Sequence, residues 1–403
     1  MTGRACLTGK VACDAPEFAR KHIRQDGDAL DRRVVLGCMT GTSIDAIDVA
    51  RVTIRGNGLE MRAEVQQCAS RPLGELGDEL RRLAGQQPFS AAAIARLARR
   101  FSDAHIDALR LVADGRPPDL ICVHGQTVYH DPPDSWQLIG PARIAHALAA
   151  PVVFDLRAAD LAAGGRGAPI TPLADAVLFR ETAPAVIVNF GGFCNFAMLP
   201  AWSENGRIEP RRIVGGDLCV CNHLLDGVAR SCWGRAYDEG GARAAKGAVV
   251  GDVFDELVAT LTQQRCARRS LGTGDELQDW VARYAGRLRG EDLARTACAA
   301  IAETIASADL ATRSAEADPA CASWLVAGGG ALNATLLDEL RRRVSGPVAT
   351  SDARSVPATH REAVAMAVLG ALCQDGVPIT LPQVTGVPEP APVAGAWVGV
   401  RSR

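Results

Sequence analysis

Gly41, Thr42 and Ser43 stand together in the stretch LGCMTGTSIDAIDVA (36–50), with Asp45 two residues further on. Residues this small let successive backbone N–H groups point into one concavity, which binds anionic oxygens without a lysine. A carboxylate just past such a turn can hold a water on a phosphate-bound Mg²⁺. The stretch lacks the GxxxxGK[ST] spacing of a P-loop, and it joins two strand-like runs instead of a strand and a helix. Taken alone, the segment reads equally well as a plain hairpin.

Two further segments shift that balance. NFGGFCN (189–195) offers a second glycine turn, with Gly191, Gly192 and Asn195, and VAGGGALN (326–333) offers a strand-to-helix junction. In the junction, Gly328, Gly329 and Gly330 allow a nucleotide close to the backbone, and the helix following Asn333 presents its N-terminus. Two hairpins followed by a GGG junction resemble the phosphate and adenosine loops of the actin-like ATPase superfamily, which includes sugar kinases and the Hsp70 chaperones. That resemblance implies an α/β fold of two actin-like (ribonuclease H-like) domains around an interdomain nucleotide and substrate cleft, with ATP and Mg²⁺ as cofactors. No β-rich segment that would make a peptide-binding domain follows, which argues against a chaperone.

The elements that must position these loops follow from pattern and length. A chain of 403 residues exceeds what one hydrophobic core usually supports. Residues 1–32 lack sustained periodicity and read as a mobile extension. Residues 33–183 and 184–375 then form two α/β domains, and the Pro-rich segment 376–403 packs back on the body. Each half opens on apolar run, glycine turn, apolar run, a weak internal repeat. Apolar residues at three- and four-residue intervals in LGELGDELRRLAG, FSAAAIARLARRFSDAHIDALRLVADG, NHLLDGVARSCW and HREAVAMAVLGALC predict helices. DLICVHGQTVYH and PVVFDLR read as parallel strands whose C-terminal ends face a site.

Composition narrows the function. With 48% apolar and 22% charged residues the chain is of soluble globular type, and a formal net charge of -2 calls for neither nucleic acid nor anionic membrane. Only Lys10, Lys21 and Lys246 are lysines, so a phosphate site must rely on backbone N–H groups, arginine and metal. Thirteen cysteines without a CxxC pair suit a reducing cytoplasm better than a disulfide framework. The N-terminal residues lack the apolar stretch of a signal peptide, and no run approaches the length of a membrane span.

The ordered set GCMTGTSIDAID, HGQTVYH, DLRAADLAAGGRGAPI, VNFGGFCNF, VAGGGALNATLLDEL and HREAVAMAVLG resembles the motifs of the anhydro-N-acetylmuramic acid kinases, from about Val34 to the C-terminal segment. The resemblance implies an enzyme that opens the 1,6-anhydro ring of its sugar by adding water at C1 while phosphorylating O6 with ATP. It further implies a homodimer. GGDLCVCN matches the family's GFDxGPGN-like segment and puts Asp217 in the role of general base; a helix cap or surface acid is the plainer reading. His124, Gln126 and His130 match a segment lining the sugar side, although a histidine at a strand end is often simply satisfied there. Asp155, Arg157 and Asp160 resemble the family's DFRxxD, where arginine orients sugar oxygens, and an internal Asp155–Arg157 ion pair is the alternative. Glu362 matches a substrate-proximal glutamate, a position that would otherwise read as solvated surface.

Several departures bear on substrate. Cys219, Val220 and Cys221 replace glycine–proline–glycine and resist positive φ. Cys219, Cys221 and His223 alternate, so on one strand they could ligate Zn²⁺. Arg166 stands where glutamine is usual, and Leu271 and Asp275 stand where the family carries lysine and arginine. The segment 236–249 keeps the DxxGxxAxxG form and reads as lining the nucleotide side. These departures leave open another anhydrosugar such as levoglucosan, or a non-catalytic ATP- or sugar-binding relative.

Overall fold

A computed structural model describes residues 32–400 except 182, 203–207, 267–270, 273 and 309–322. The expected N-terminal extension lies outside the described residues, save Arg32, which opens the first strand.

Strand β1 (Arg32–Met39) runs into the 40–45 turn and returns as β2 (Ala46–Arg55), followed antiparallel by β3 (Arg62–Pro72). The wholly apolar β4 (Leu120–Val123) then pairs parallel with β1, as a strand covered on both faces should. Gln126–Asp131 and Asp134–Leu138 form a separate hairpin, β5–β6. β7 (Val152–Phe154) lies parallel beside β4, and β13 (Ala396–Val398), near the C-terminus, closes that edge antiparallel, giving the order β13-β7-β4-β1-β2-β3.

The second sheet repeats this plan. β8 (Ala185–Phe190), β9 (Phe193–Leu199) and β10 (Val214–Val220) form an antiparallel meander, and β11 (Ser323–Ala327) and β12 (Val348–Thr350) add parallel on the far side of β8. Its order, β10-β9-β8-β11-β12, is the first sheet's third-second-first-fourth-fifth arrangement again. The repeat that is faint in residue identities is therefore plain in topology, because strand order depends on pattern and turn placement more than on which apolar residue fills each site.

Helix Ala91–Arg110 covers the first sheet with Leu97, Phe101, Ala104 and Ala108, one stripe at helical spacing, and the Ser90 hydroxyl caps it by accepting the Ala93 N–H at 3.2 Å. Helix Arg361–Gln374 differs in being buried on nearly every side. It packs on β1, β2 and β4, and its core also takes in Ile187, Ala197 and Leu325 of the second sheet. At about 1.5–3 kcal/mol per buried aliphatic side chain, this apolar helix is a main tie between the two sheets. Arg361 at its start is buried and paired with buried Asp175: Nε donates to Oδ1 at 2.8 Å, while Nη2 donates to Oδ2 and to the Thr171 hydroxyl at 3.2 Å. No helix among the described residues is long and apolar enough to cross a membrane.

Candidate active site

The two glycine turns face each other. A Cβ built on Gly192 would lie 2.5 Å from Thr42 Oγ1 and would collide with the His223 ring, so any side chain there would have to push both aside. The first turn is exposed at Thr42, Ser43 and Asp45; the Ser43 hydroxyl donates to Asp45 Oδ1 at 2.6 Å, and the Ala46 N–H donates to the same oxygen at 3.0 Å. Arg81 braces the turn from behind by donating to the carbonyls of Ser43 and Ile44. The second turn is gripped from its other side, where the N–H groups of Cys221 and His223 donate to Gly192 O and that of Asn222 to Gly191 O, at 2.9–3.2 Å. Asn222 Nδ2 also donates to Phe190 O at 2.8 Å. Gly328, at φ 83°, presses against the same turn, with room for no Cβ beside Phe190 O and Asn189 Oδ1. The GGG junction and both turns thus line one place.

Asp217 lies on β10, opposite Asn195 of β9, which is itself opposite Asn189 of β8. A β-bulge follows directly, between Asp217 and Cys219. Bulges re-aim side chains at sites. The Leu271 N–H donates to Asp217 Oδ2 at 2.8 Å. Burial pushes the carboxyl up to about 6; the Leu271 N–H, Arg157 and Arg166 pull it down, and Asp275 pushes it up. Such a group is largely ionised at neutral pH yet basic enough to take a proton.

Arg157 links this carboxylate to the first sheet. Its Nε donates to His124 Nε2 at 3.0 Å and its Nη1 to Gly167 O at 2.7 Å. Burial lowers its pKa to about 10, against the opposing pull of Asp217, Glu362 and Asp160, so the guanidinium stays charged at neutral pH. His124, pushed down to about 3 mainly by burial and Arg157, is neutral and donates from Nδ1 to Gly125 O at 2.9 Å. Glu362 is raised by burial, with Asp48 and Asp175 adding to the effect and Arg361 and Arg157 opposing it. Gln126 Oε1 and His130 Nε2 are buried acceptors without a protein partner. Orphaned buried acceptors suit a ligand bearing hydroxyl or amide donors, and His130 also lies within electrostatic reach of Arg157.

The sequence model described as anhydro-N-acetylmuramic acid kinase matches residues 33–398. The chain belongs to the anhydro-N-acetylmuramic acid kinase family. It is similar to the anhydro-N-acetylmuramic acid kinases of Bordetella pertussis (36% identity over 90% of this chain and 95% of that one) and Acidiphilium cryptum (34%, 90% and 97%). Among solved structures, component A of (R)-2-hydroxyglutaryl-CoA dehydratase from Acidaminococcus fermentans aligns with a TM-score of 0.40 at 13% identity, over 85% of this chain and 99% of that one.

Other residues expected at an anhydro-N-acetylmuramic acid kinase site have different surroundings. Asp160 is fully buried and bonded within the fold: Oδ2 accepts the Gly167 N–H at 2.6 Å and Oδ1 the Thr385 hydroxyl at 2.8 Å, tying the 165–167 loop to the C-terminal segment. Asn333 caps helix Ala334–Arg341, accepting the Leu336 N–H at 3.0 Å, so its side-chain oxygen is committed to the junction's architecture. Asp155, at φ 54°, lines a cavity of about 430 Å³ with Ser135, Trp136 and Gln137 that includes neither Arg157 nor Asp217. Arg166 donates to Val384 O at 2.6 Å and so anchors the C-terminal segment while staying in electrostatic reach of Asp217.

The departures from the family pattern resolve as well. Cys219, Val220 and Cys221 are buried, and none has positive φ, so the chain turns here without glycine. β10 ends at Val220 and His223 sits on helix Asn222–Trp233, which breaks the alternation a zinc site on one strand required. Among the described residues no group of three or more His, Cys, Asp or Glu side chains could hold a metal ion. Leu271 and Asp275 contribute to Asp217's surroundings, one by its N–H and the other by its charge.

Sequence reasoning missed Asn189, Asn222, Asp48 and Asp226. The final residue of GGDLCVCN is Asn222, and its place in that motif was the available signal. Asp48, raised by burial and by Asp45, accepts the Ser70 hydroxyl at 2.6 Å and feels His360 as a counter-charge. Asp226, pushed up to about 6 by burial and by Asp45, stands on the helix behind the second turn. Asp48 closes the motif GCMTGTSIDAID, which was its available signal, whereas nothing in the local sequence marks Asp226.

Proposed function

We propose that the chain is an ATP-dependent kinase that hydrolyses the 1,6-anhydro bond of anhydro-N-acetylmuramic acid and phosphorylates O6, giving N-acetylmuramic acid 6-phosphate and ADP. The observation that carries this reading is Asp217, a carboxylate pushed up to about 6 between the facing glycine turns and the Arg157 cluster. Asp217 takes a proton from the water that adds at C1, and the C1–O6 bond breaks. O6 is then free to attack the γ-phosphoryl group. Arg157, held by His124 and Gly167 O, orients the sugar oxygens, and the buried acceptors Gln126 Oε1 and His130 Nε2 receive donors of the sugar.

The Gly191–Gly192 turn, the Gly41–Ser43 turn and the Gly328–Gly330 junction form the nucleotide cradle. Its tight fit at Gly192 and Gly328 suits a ligand bound along backbone. Mg²⁺ would be held chiefly by phosphate oxygens and water, with Asp45 and Asp226, which feel each other's charge, as the carboxylates that would hold its water shell, and would neutralise charge on the transferring phosphoryl group. Phosphoryl transfer otherwise needs positioning more than covalent help.

The test is ADP release with Mg²⁺ and ATP, with and without 1,6-anhydro-N-acetylmuramic acid, beside levoglucosan as a second sugar. Release that depends on the first sugar and disappears in Asp217→Asn is expected. Release with levoglucosan alone would overturn the substrate assignment, and full turnover by the Asn variant would overturn the base.

A further inference from the structure

The β5–β6 hairpin carries a hydrogen-bond relay that the reaction scheme above does not use. Ser135 Oγ donates its one proton to Tyr129 O at 3.3 Å and accepts from Gln137 Nε2 at 2.9 Å. Its remaining lone pair faces His130 Nδ1 at 2.9 Å. A hydroxyl has one proton and two lone pairs, so with the proton engaged by Tyr129 O the His130 contact closes only if Nδ1 carries the hydrogen. His130 Nε2 is then a bare lone pair, buried and without a protein partner. The opposite tautomer would bury an unpaired N–H within electrostatic reach of the Arg157 charge, a double cost. Burial and Arg157 also push His130 down to about 4, so the ring stays neutral in the working pH range; Asp131 alone pulls the other way.

We propose that Ser135 is a positioning residue that fixes His130 as an obligate hydrogen-bond acceptor in the sugar subsite, where its Nε2 receives an O–H or N–H of the substrate. This rests on the proposed sugar kinase reading for its ligand, but the tautomer lock stands on the hairpin geometry alone. His130 Nε2 then reads donors and disfavours sugars with an ether or carboxylate oxygen at that position.

The experiment joins ¹⁵N NMR of the histidine side chains in the full chain to steady-state kinetics. In the parent, His130 should show the Nδ1–H form, and adding 1,6-anhydro-N-acetylmuramic acid should shift its Nε2 resonance. Ser135→Ala should release the tautomer and raise KM for the sugar ~5–10-fold, with a much smaller fall in kcat, as loss of one oriented hydrogen bond does. Ser135→Thr keeps the hydroxyl and should restore both readouts. An Nε2–H form in the parent, or an unchanged KM in Ser135→Ala, would overturn the proposal. A locked Nδ1–H form whose resonance ignores the sugar would instead fault the ligand and leave the lock standing.

Discussion

The two glycine turns occupy equivalent places in two sheets of the same strand order, yet they are held in opposite ways. The 40–45 turn is open to solvent on one side and held by side chains, Ser43 onto Asp45 and Arg81 onto the carbonyls behind. The 190–193 turn is clamped by three backbone N–H groups of the following helix start and by the GGG junction. One topology thus yields a turn that can adjust to a ligand and another that is fixed before the ligand arrives. The proposed chemistry follows the same division, since Asp217 stands on the strand beside the clamped turn, where preorganisation would matter most.

The largest effect should come from the fixed half. Asp217→Asn should lower kcat by ~10²-fold or more, as removal of a general base does, while ATP binding persists. In the parent, kcat/KM should fall about tenfold per pH unit below about 6, because the protonated carboxyl cannot accept a proton. Stability should move the other way. Folding raises this pKa from about 4, so ionising Asp217 costs stability as pH rises towards about 6. The Asn variant avoids that cost and should show a higher Tm than the parent at pH 8 and a similar one at pH 4. A lower Tm at pH 8 would mean that the carboxylate is stabilised where it sits.

The contrast between turns is sharpened by matched glycine substitutions. Gly192→Ala places a methyl against Thr42 Oγ1 and His223, and overpacking of this kind costs about 1–3 kcal/mol. Gly41→Ala meets only Ser43 Oγ, at 3.9 Å, and should be nearly neutral in thermal unfolding. Equal losses in the two variants would erase the distinction between a clamped and an open turn. Asp160→Asn belongs with the fixed parts. It replaces one of two acceptor oxygens by a donor facing either the Gly167 N–H or the Thr385 hydroxyl, at about 1–3 kcal/mol. Its loss should appear as a lower Tm and freer proteolysis near residues 165–167, with KM for the sugar changed less than by Arg157→Ala.

What the sequence revealed follows the same physical line. Both hairpin turns, the GGG junction and the helices showed through because glycine spacing and apolar periodicity are local properties. Asp217 showed through only by its motif. The role of Asp160 stayed hidden because its partner Thr385 is 225 positions away. The burial of Arg361 at a helix start was equally hidden, because its partner Asp175 lies 186 positions earlier. The Cys219–Cys221 stretch seemed to forbid the turn beside Asp217; a β-bulge and the N–H bonds to the Gly191–Gly192 carbonyls supply the path, and neither is written in three residues. Buried ion pairs and bulges are tertiary answers to local conflicts, so a local reading registers the conflict and not its solution.

The smallest effect tests the adjustable turn. Ser43→Ala removes the 2.6 Å bond to Asp45 Oδ1 but leaves the Ala46 N–H on the same oxygen and Arg81 on the carbonyls behind it. An exposed bond of this type is worth about 0.5–1 kcal/mol, so Tm should hardly move. If the bond serves to aim Asp45 at the metal's water shell, the change should appear as a ~2–5-fold rise in the Mg²⁺ concentration giving half-maximal rate, with the KM for sugar untouched. A comparable rise for the sugar would show that the first turn reads both ligands, and the division of labour between the turns would then have to be abandoned.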